Sequence, residues 1–272
     1  MDWQQLGNQS RARRIAAALR PAKPAIVAIS SHHARLSRWY AARTHEALFV
    51  AQWAIPPTPE WFDHDIDSYY TNLQGADDLS AQRGVFARMA LESAWRDRAD
   101  AGASGPFRVL DLCVGDGSTP ARYLIQRADD VLGVDFDPDT VRHARSRYGH
   151  TGVVYELGDI RESIPEGPWD LIVWDAAIEH FTLDETASIL RAMRSAIQPW
   201  GRLCGYTLQA AASGSHLEHH EHEYANVEEL GETIRAVFKC VSIFEIPSSE
   251  RINWYFTASS EVGRPMRFAY DA

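Results

Sequence analysis

Hydrophobic and polar positions alternate along most of this chain in short blocks, some typical of strands and others of helices. From residue 107 onward, short apolar runs are separated by longer stretches with apolar residues every three or four positions. The predicted strands are 107–113, 131–135, 153–157, 171–175 and 202–208, and the predicted helices are 119–127, 139–148 and 183–197. Because buried strands that alternate with helices form a sheet covered on both faces, we predict a doubly wound α/β fold.

The tail and the first hundred residues complete this outline. After a predicted helix over 227–238, strands over 241–246 and 254–258 are joined by a short Pro/Ser loop, which is typical of a closing antiparallel hairpin. Before residue 105 the helix-prone stretches are 11–19, 37–53 and 77–101, while 24–29 fits a strand or a helix start. This region holds five of the nine tryptophans, so it must pack against other parts of the protein.

A small-residue linker over 101–106 divides the chain. We predict a helical cap and substrate region over 1–105 and a cofactor-binding domain over 106–272. Ligands bind at the carboxyl edge of open α/β sheets, so a cap above that edge would shape the pocket for a substrate.

The segment Val109–Gly117 predicts a buried strand followed by a glycine turn that opens a helix, and 131–138 predicts a second strand ending in a carboxylate. This turn is acidic, because Asp111 ends the strand and Asp116 lies inside the turn. Two carboxylates would repel the pyrophosphate of a dinucleotide but attract a cofactor that carries a sulfonium and an amino group. S-adenosylmethionine has this chemistry.

The stretch from about Phe107 to Ser259 resembles the class I S-adenosylmethionine-dependent methyltransferases and their Rossmann-like sheet. Their first motif is an acidic residue followed by glycines at alternate positions. Asp111, Gly115 and Gly117 match it, and Cys113 stands in the place of the usual first glycine. A small thiol there still permits a close turn.

The resemblance assigns further residues to the cofactor site. Asp135 matches the acidic residue that holds the ribose hydroxyls, and Asp159 matches the one that meets the adenine amino group. The alternative role for Asp135 is an N-cap, but Asp137, which precedes a proline, suits that role better. The implied cofactor set also includes Phe136, Ile160 and Asp175, and later segments of the family match 169–175, 178–181 and 199–203.

An aromatic and acidic segment, Trp61–Tyr70, resembles the approach segment that precedes the first motif in many methyltransferases. The resemblance implies that Tyr70 covers the cofactor, that Tyr69 lines the acceptor pocket and that Arg83 meets the cofactor carboxylate. The alternative is a solvated acidic turn with two core tyrosines.

Methyl transfer from a sulfonium is an in-line displacement, and alignment alone supplies roughly 7–11 kcal/mol. A base is required only where the acceptor loses a proton. His180, just past the fourth strand, is the candidate base, and Glu179 is a candidate for binding an amine or a hydroxyl. The alternatives are a histidine that holds backbone or cofactor and a glutamate that faces solvent.

A histidine-rich run spans His216–Tyr224 after the fifth strand. Three interpretations stay open: a metal site using residues four apart, a pocket lined by His220 or His222, and a solvated loop. The acidic triplet of magnesium-dependent catechol-type enzymes is absent, and we assign no metal to the site.

Charge and composition limit the classes of molecule that the protein is expected to bind. Residues 1–105 carry 12 basic against 11 acidic side chains, whereas residues 106–272 carry 15 against 26, which is −11. An acidic domain repels nucleic acid, because phosphate contacts supply most of such affinity. We expect no membrane span, no secretory leader, no disulfide framework from three scattered cysteines and a cytoplasmic location.

These patterns predict transfer of a methyl group from S-adenosylmethionine to an oxygen or nitrogen of a small-molecule acceptor. Two rivals remain. One is an aminopropyl transferase on the same scaffold, which would need an acidic pair such as Asp175 and Glu179 at the transfer site. The other is a non-catalytic cofactor-binding or scaffold protein. Oligomeric state is left open, a homodimer included.

Overall fold

The computed structural model describes residues 79–210, 220–247 and 252–260. These residues contain one seven-stranded sheet with the strand order β3-β2-β1-β4-β5-β7-β6. The strands are β1 (Arg108–Leu112), β2 (Asp130–Asp135), β3 (Val154–Leu157), β4 (Trp169–Asp175), β5 (Ile197–Leu208), β6 (Cys240–Pro247) and β7 (Ile252–Ser259). The doubly wound sheet predicted from the sequence is confirmed.

In the described ranges four α-helices accompany the sheet: α1 (Leu79–Asp100), α2 (Pro138–Tyr148), α3 (Leu183–Ala196) and α4 (Val227–Arg235). The helix predicted over 119–127 is instead a short π-helix, Pro120–Leu124, in which the Ile125 N–H bonds to the Pro120 carbonyl at 3.0 Å. Single π-turns of this kind often occur at functional sites. Within the described residues, no helix is both long and apolar enough to cross a bilayer.

The closing hairpin is confirmed, and its placement explains the sheet order. Strand β7 runs antiparallel to both of its neighbours, β5 and β6, whereas β1 to β5 pair in parallel. The hairpin therefore inserts its second strand beside β5 and leaves β6 at the edge. Parallel strands end at the same edge, so the carboxyl ends of β1, β2 and β4 meet there.

Two apolar cores lie on the two faces of the sheet. One is built with α3 and α4, where Leu190, Met193 and Leu230 are fully buried. The other is built with α1 and α2, where Leu91 and Ala144 are fully buried. Helices on both faces explain why the central strands read as nearly continuous apolar runs.

Helix α1 is the described part of the region that the sequence assigned to a cap. It packs across the face of the sheet against β4 and β5. Near its start Arg83 pairs with Asp175 at the carboxyl end of β4, and near its end Arg98 pairs with Asp170 at the other end of that strand. The rest of the predicted cap lies outside the described residues, so the division near residue 105 stays a prediction.

A buried ion pair fixes α1 to the sheet. The Arg202 Nε of β5 donates to the Asp97 Oδ2 of α1 at 2.5 Å, and the two side chains are 1% and 0% exposed. The partners are 105 residues apart in sequence. Removing one partner of such a pair leaves an uncompensated charge in the core.

We expect Arg202→Met to lower the free energy of unfolding by about 3–5 kcal/mol, because it strands the Asp97 carboxylate in the core. Urea unfolding measures the change. As a matched control, Arg142→Ala disrupts the exposed pair of Arg142 with Asp139 and should cost no more than about 1 kcal/mol. Equal losses in the two variants would contradict the anchoring role.

Candidate active site

The glycine turn after β1 depends on left-handed backbone at three positions. The φ angles are 57° at Cys113, 57° at Gly115 and 81° at Gly117. Such angles suit glycine, and they are uncommon for other residues. Cys113 therefore takes the conformation that the family's usual first glycine takes freely, and burial raises the pKa of its thiol, which keeps it neutral.

The two glycines of this turn differ in what surrounds them. A Cβ placed on Gly117 would lie 2.8 Å from the Cβ of Ala144 and 2.8 Å from the ring of Tyr155. A Cβ placed on Gly115 would meet nothing within 4 Å. Gly117 thus permits close packing inside the protein, whereas Gly115 keeps the backbone accessible to a ligand.

Asp135, at the end of β2, holds the turn in place. Its Oδ2 accepts from the Gly115 N–H at 3.0 Å, and its Oδ1 accepts from the Asp137 N–H at 3.1 Å. Asp137 caps α2 by accepting from the Asp139 N–H at 2.9 Å, so the N-cap predicted for Asp137 is confirmed. The Asp135 carboxylate is therefore at the turn and not at the helix cap.

Carboxylates converge around Asp111, which is 3% exposed and lies one residue before the carboxyl end of β1. Burial raises the pKa of the Asp111 carboxyl well above its usual range, and Asp175, Asp135 and Asp116 raise it further. Arg83 opposes this effect. Burial also raises the pKa of Asp135, against the lowering effect of its backbone N–H donors. The site thus holds more carboxyl groups than its own cations balance.

Arg83 provides the cation that this cluster does contain. Its Nε donates to the Asp175 Oδ2 at 2.6 Å, and its guanidinium lies 5.8 Å from the ring centre of Tyr206. The sequence assigned Arg83 to the cofactor carboxylate and Asp175 to the cofactor site. The structure brings the two side chains together as an ion pair at the carboxyl end of β4.

Asp159, which was assigned to the adenine, and two further residues of the predicted cofactor set, Phe136 and Ile160, follow the ends of β2 and β3. Phe136 is 65% exposed, which is unusual for a large apolar side chain directly after a buried strand. Asp159 pairs with Arg161 at 2.6 Å, and this hydrogen-bonded guanidinium lowers the pKa of the Asp159 carboxyl. Ile160, in contrast, is buried in the core that contains α3. Tyr69 and Tyr70 lie outside the described residues.

A second group of side chains lies just past β4. Ala176, with a φ of 52°, turns the chain into a short 3-10 helix, Ile178–His180. Glu179 is 2% exposed, and its Oε2 accepts from the Thr207 hydroxyl of β5 at 2.9 Å. The rings of His180 and His220 meet edge to face, with centres 4.8 Å apart.

The predicted acceptor residues separate in the structure. His220 joins the group past β4, where its Nδ1 pairs with Glu223, and burial lowers the pKa of His220. His222 instead bonds through Nε2 to Glu229 of α4 at 2.9 Å. Its assignment to the acceptor stays a prediction.

Sequence reasoning missed two supporting residues of this group, Thr207 and Glu223. Thr207 carried no local pattern that linked it to Glu179, which lies 28 residues earlier in the chain. Glu223 could have been suspected, because it follows His220 by three residues in the histidine-rich run.

Comparison with known proteins finds methyltransferases. Residues 109–201 match a family described as a methyltransferase domain. A trans-aconitate 2-methyltransferase from Methylobacterium nodulans is 32% identical over 102 residues, which is 37% of this chain. That match spans only 38% of the relative.

Among solved structures, the S-adenosylmethionine-dependent methyltransferase SibL in its apo form has a TM-score of 0.53 and 14% identity, covering 76% of this chain and 60% of SibL. That likeness shows the fold. The DhpI–SAM–HEP complex has a TM-score of 0.46 and 21% identity, covering 61% of this chain and 86% of DhpI.

The methyltransferase match begins in β1 and covers the acidic turn, β2, β3, β4 and the start of β5. Residues 109–201 thus contain a methyltransferase domain, and the matches as a whole support an S-adenosylmethionine-dependent methyltransferase.

Proposed function

We propose that this protein transfers the methyl group of S-adenosylmethionine to an oxygen or nitrogen atom of a small-molecule acceptor. The observation that carries the proposal is the acidic, buried cluster around Asp111 beside a turn that is open at Gly115. A cation without phosphate is the ligand that such a site stabilises. When bound, the cofactor supplies an electrophilic methyl group on a positively charged sulfur.

The residues present fit this cofactor. Asp135 would accept from the ribose hydroxyls with carboxylate lone pairs beyond those used by its two backbone donors. The exposed ring of Phe136 would pack on the adenine, and Asp159 would accept from the adenine amino group. Asp111 and the turn with Cys113 and Gly117 would balance and enclose the cationic end.

Arg83 and Asp175 have a second consequence for the reaction. The charge of Asp175 is balanced by Arg83. An aminopropyl transferase would need two acidic side chains at the transfer site, and of Asp175 and Glu179 only Glu179 is then left without a cationic partner of this kind among the described residues. The geometry therefore favours methyl transfer over that alternative. A contact between Arg83 and the cofactor carboxylate remains part of the proposal, since the guanidinium has donors beyond those that bond Asp175.

His180 would act as the base. It lies in the 3-10 helix that directly follows β4, beside Glu179 and His220. A base at this position would remove the proton from a hydroxyl or amine acceptor as its lone pair attacks. His222 and Tyr69 remain proposed acceptor contacts, as does Tyr70 for the cofactor.

Two observations support a small acceptor. The domain is strongly acidic, which opposes binding of nucleic acid. The relative from Methylobacterium nodulans is named for the methylation of a small organic acid. An organic carboxylate is therefore a reasonable first member of an acceptor panel, together with phenols and amines.

The experiment is calorimetric titration of S-adenosylmethionine into wild type and Asp135→Asn, followed by transfer of a labelled methyl group to the acceptor panel. We use asparagine because it keeps an oxygen for the Gly115 N–H. We expect micromolar binding by wild type and a loss of about 1–3 kcal/mol in the variant. The exposed Asp139→Asn should bind as wild type does.

His180→Ala should lower kcat for hydroxyl or amine acceptors while cofactor affinity is unchanged. No cofactor binding by wild type would overturn the proposal and favour a non-catalytic role. Cofactor binding without methyl transfer to any acceptor would support the assignment of the cofactor but refute the acceptor classes tested.

Two alanine variants, one at Gly115 and one at Gly117, distinguish an effect on cofactor binding from an effect on stability. Gly115→Ala should weaken S-adenosylmethionine binding at least tenfold, because the added methyl group would occupy space that the ligand needs. It should cost only about 1 kcal/mol of stability, because the methyl group contacts no protein atom and the only penalty is the left-handed backbone conformation. Gly117→Ala should lose more stability, since its Cβ would meet Ala144 and Tyr155. Calorimetry and urea unfolding measure the two effects. Full cofactor affinity in folded Gly115→Ala would contradict the placement of the cofactor at this turn.

Cofactor affinity should rise as the pH is raised above the ordinary titration range of an aspartate carboxyl. The pKa of the Asp111 carboxyl is raised by burial and by Asp175, so lowering the pH depletes the ionised form that a cation prefers. Binding should also release protons, which calorimetry detects by comparing buffers of different ionisation enthalpy. Asp111→Asn should flatten this dependence. A wild-type affinity that is independent of pH would refute the role of Asp111.

A further inference from the structure

We propose that Glu179, His180 and His220 form a binding site for a divalent transition-metal ion at the acceptor side of the active site. One ligand atom from each of the three residues lies within 4.8 Å of the other two. The role that we assign to the ion, polarising an acceptor oxygen, rests on the proposed methyl transfer. The site itself can be tested without any acceptor.

The separation of these atoms fits a site that closes around an ion. Metal bonds to histidine nitrogen and carboxylate oxygen are about 2.0–2.2 Å, which places neighbouring ligand atoms roughly 3–3.5 Å apart. The present separation is up to 4.8 Å, so ion binding requires the side chains of His180 and His220, whose rings meet edge to face, to move closer together.

The backbone also holds the two halves of the site together. Glu179 and His180 follow β4, whereas His220 lies 40 residues later along the chain. The His222 N–H donates to the Glu179 carbonyl at 3.1 Å, which ties the segment of His220 to the 3-10 helix. The sequence linked His220 only to its own histidine-rich run, so this grouping depends on the fold.

The ligand side chains are supported in the manner of metal sites. The Glu179 Oε2 accepts from the Thr207 hydroxyl at 2.9 Å, which fixes the carboxylate while it is almost fully buried. Glu223 bonds the Nδ1 of His220, whose side chain is 1% exposed. A carboxylate on one ring nitrogen orients the other nitrogen toward a metal and increases its basicity.

The donor set selects the class of ion. Two imidazoles and one carboxylate suit zinc, cobalt, manganese or ferrous iron, whereas magnesium prefers oxygen ligands. Three protein ligands leave coordination positions for water or an acceptor oxygen. Ala176, next to Asp175, bonds through its N–H to the Tyr206 carbonyl at 2.9 Å, so the site continues directly from the carboxyl end of β4. With His180 bound to the ion, a hydroxyl on the metal would become more acidic, so the ion would take the place of His180 as the means of deprotonating the acceptor.

The experiment uses the full chain without an affinity tag, dialysed against a chelator and titrated with Co²⁺ and then Zn²⁺. We expect one equivalent of Co²⁺ with visible absorption of a nitrogen-liganded ion, displaced by Zn²⁺ and not by Mg²⁺. His220→Ala and Glu179→Gln should abolish this absorption. Glu223→Gln should weaken the affinity about 10–100-fold, as removal of a carboxylate behind a histidine ligand does.

Two histidine controls make the result specific. His150→Ala removes an exposed histidine of the turn after α2 and should bind Co²⁺ as wild type does. The double variant His216→Ala with His219→Ala tests the two histidines that precede His220 in the run and should also retain the ion. Loss of binding in the double variant, with retention in His220→Ala, would move the ion to the run and overturn the proposed ligand set.

Failure of this proposal can be told apart from failure of the proposed function. S-adenosylmethionine binding is measured on the same chelated protein, and labelled methyl transfer is measured with and without added ion. A protein that binds the cofactor and methylates an acceptor but holds no Co²⁺ would refute the metal site alone. A protein that holds the ion through Glu179 and His220 but binds no cofactor would refute the function alone.

Discussion

Mutual repulsion of carboxylates at one edge of the sheet is the constraint on which this site depends. Parallel pairing of β1, β2 and β4 brings the carboxylates of Asp111, Asp135 and Asp175 together because all three strands end at that edge. Arg83 balances Asp175, and two backbone N–H groups stabilise Asp135, but Asp111 stays buried with a raised pKa. A cationic ligand supplies the charge that the protein lacks.

Helix α1 carries Arg83, the cation that partly balances these carboxylates. The buried pair of Arg202 and Asp97 fixes this helix against β5, and Arg98 fixes its far end beside Asp170. With these contacts set, Arg83 lies 92 residues from Asp175 in sequence but within hydrogen-bond distance in space. Stability of the scaffold and electrostatics of the site are thus coupled through one helix. A change at the buried pair would therefore alter the site without touching it.

The sequence predicts what is local and repeated. The strands, the turn and the different roles of Asp135 and Asp137 follow from short patterns, because burial period, a left-handed turn and a proline after a cap are all encoded within a few residues. The pairing of Arg83 with Asp175 and the meeting of His220 with Glu179 and His180 could not be predicted in this way. These contacts depend on which helix face and which loop lie at the same edge of the folded sheet. A local sequence pattern carries no information about that arrangement.

The two halves of the proposed site would each bind a cation, so each half needs carboxylates of its own. A dication next to a sulfonium would repel it unless the ion's charge were balanced nearby. Glu179 as a ligand and Glu223 behind His220 place two carboxylates at the proposed metal site, which equals the charge of a divalent ion. The acidic cluster around Asp111 then remains available for the cofactor's own positive charge. A metal at the acceptor side is therefore compatible with a cationic methyl donor, because each cation has its own set of carboxylates.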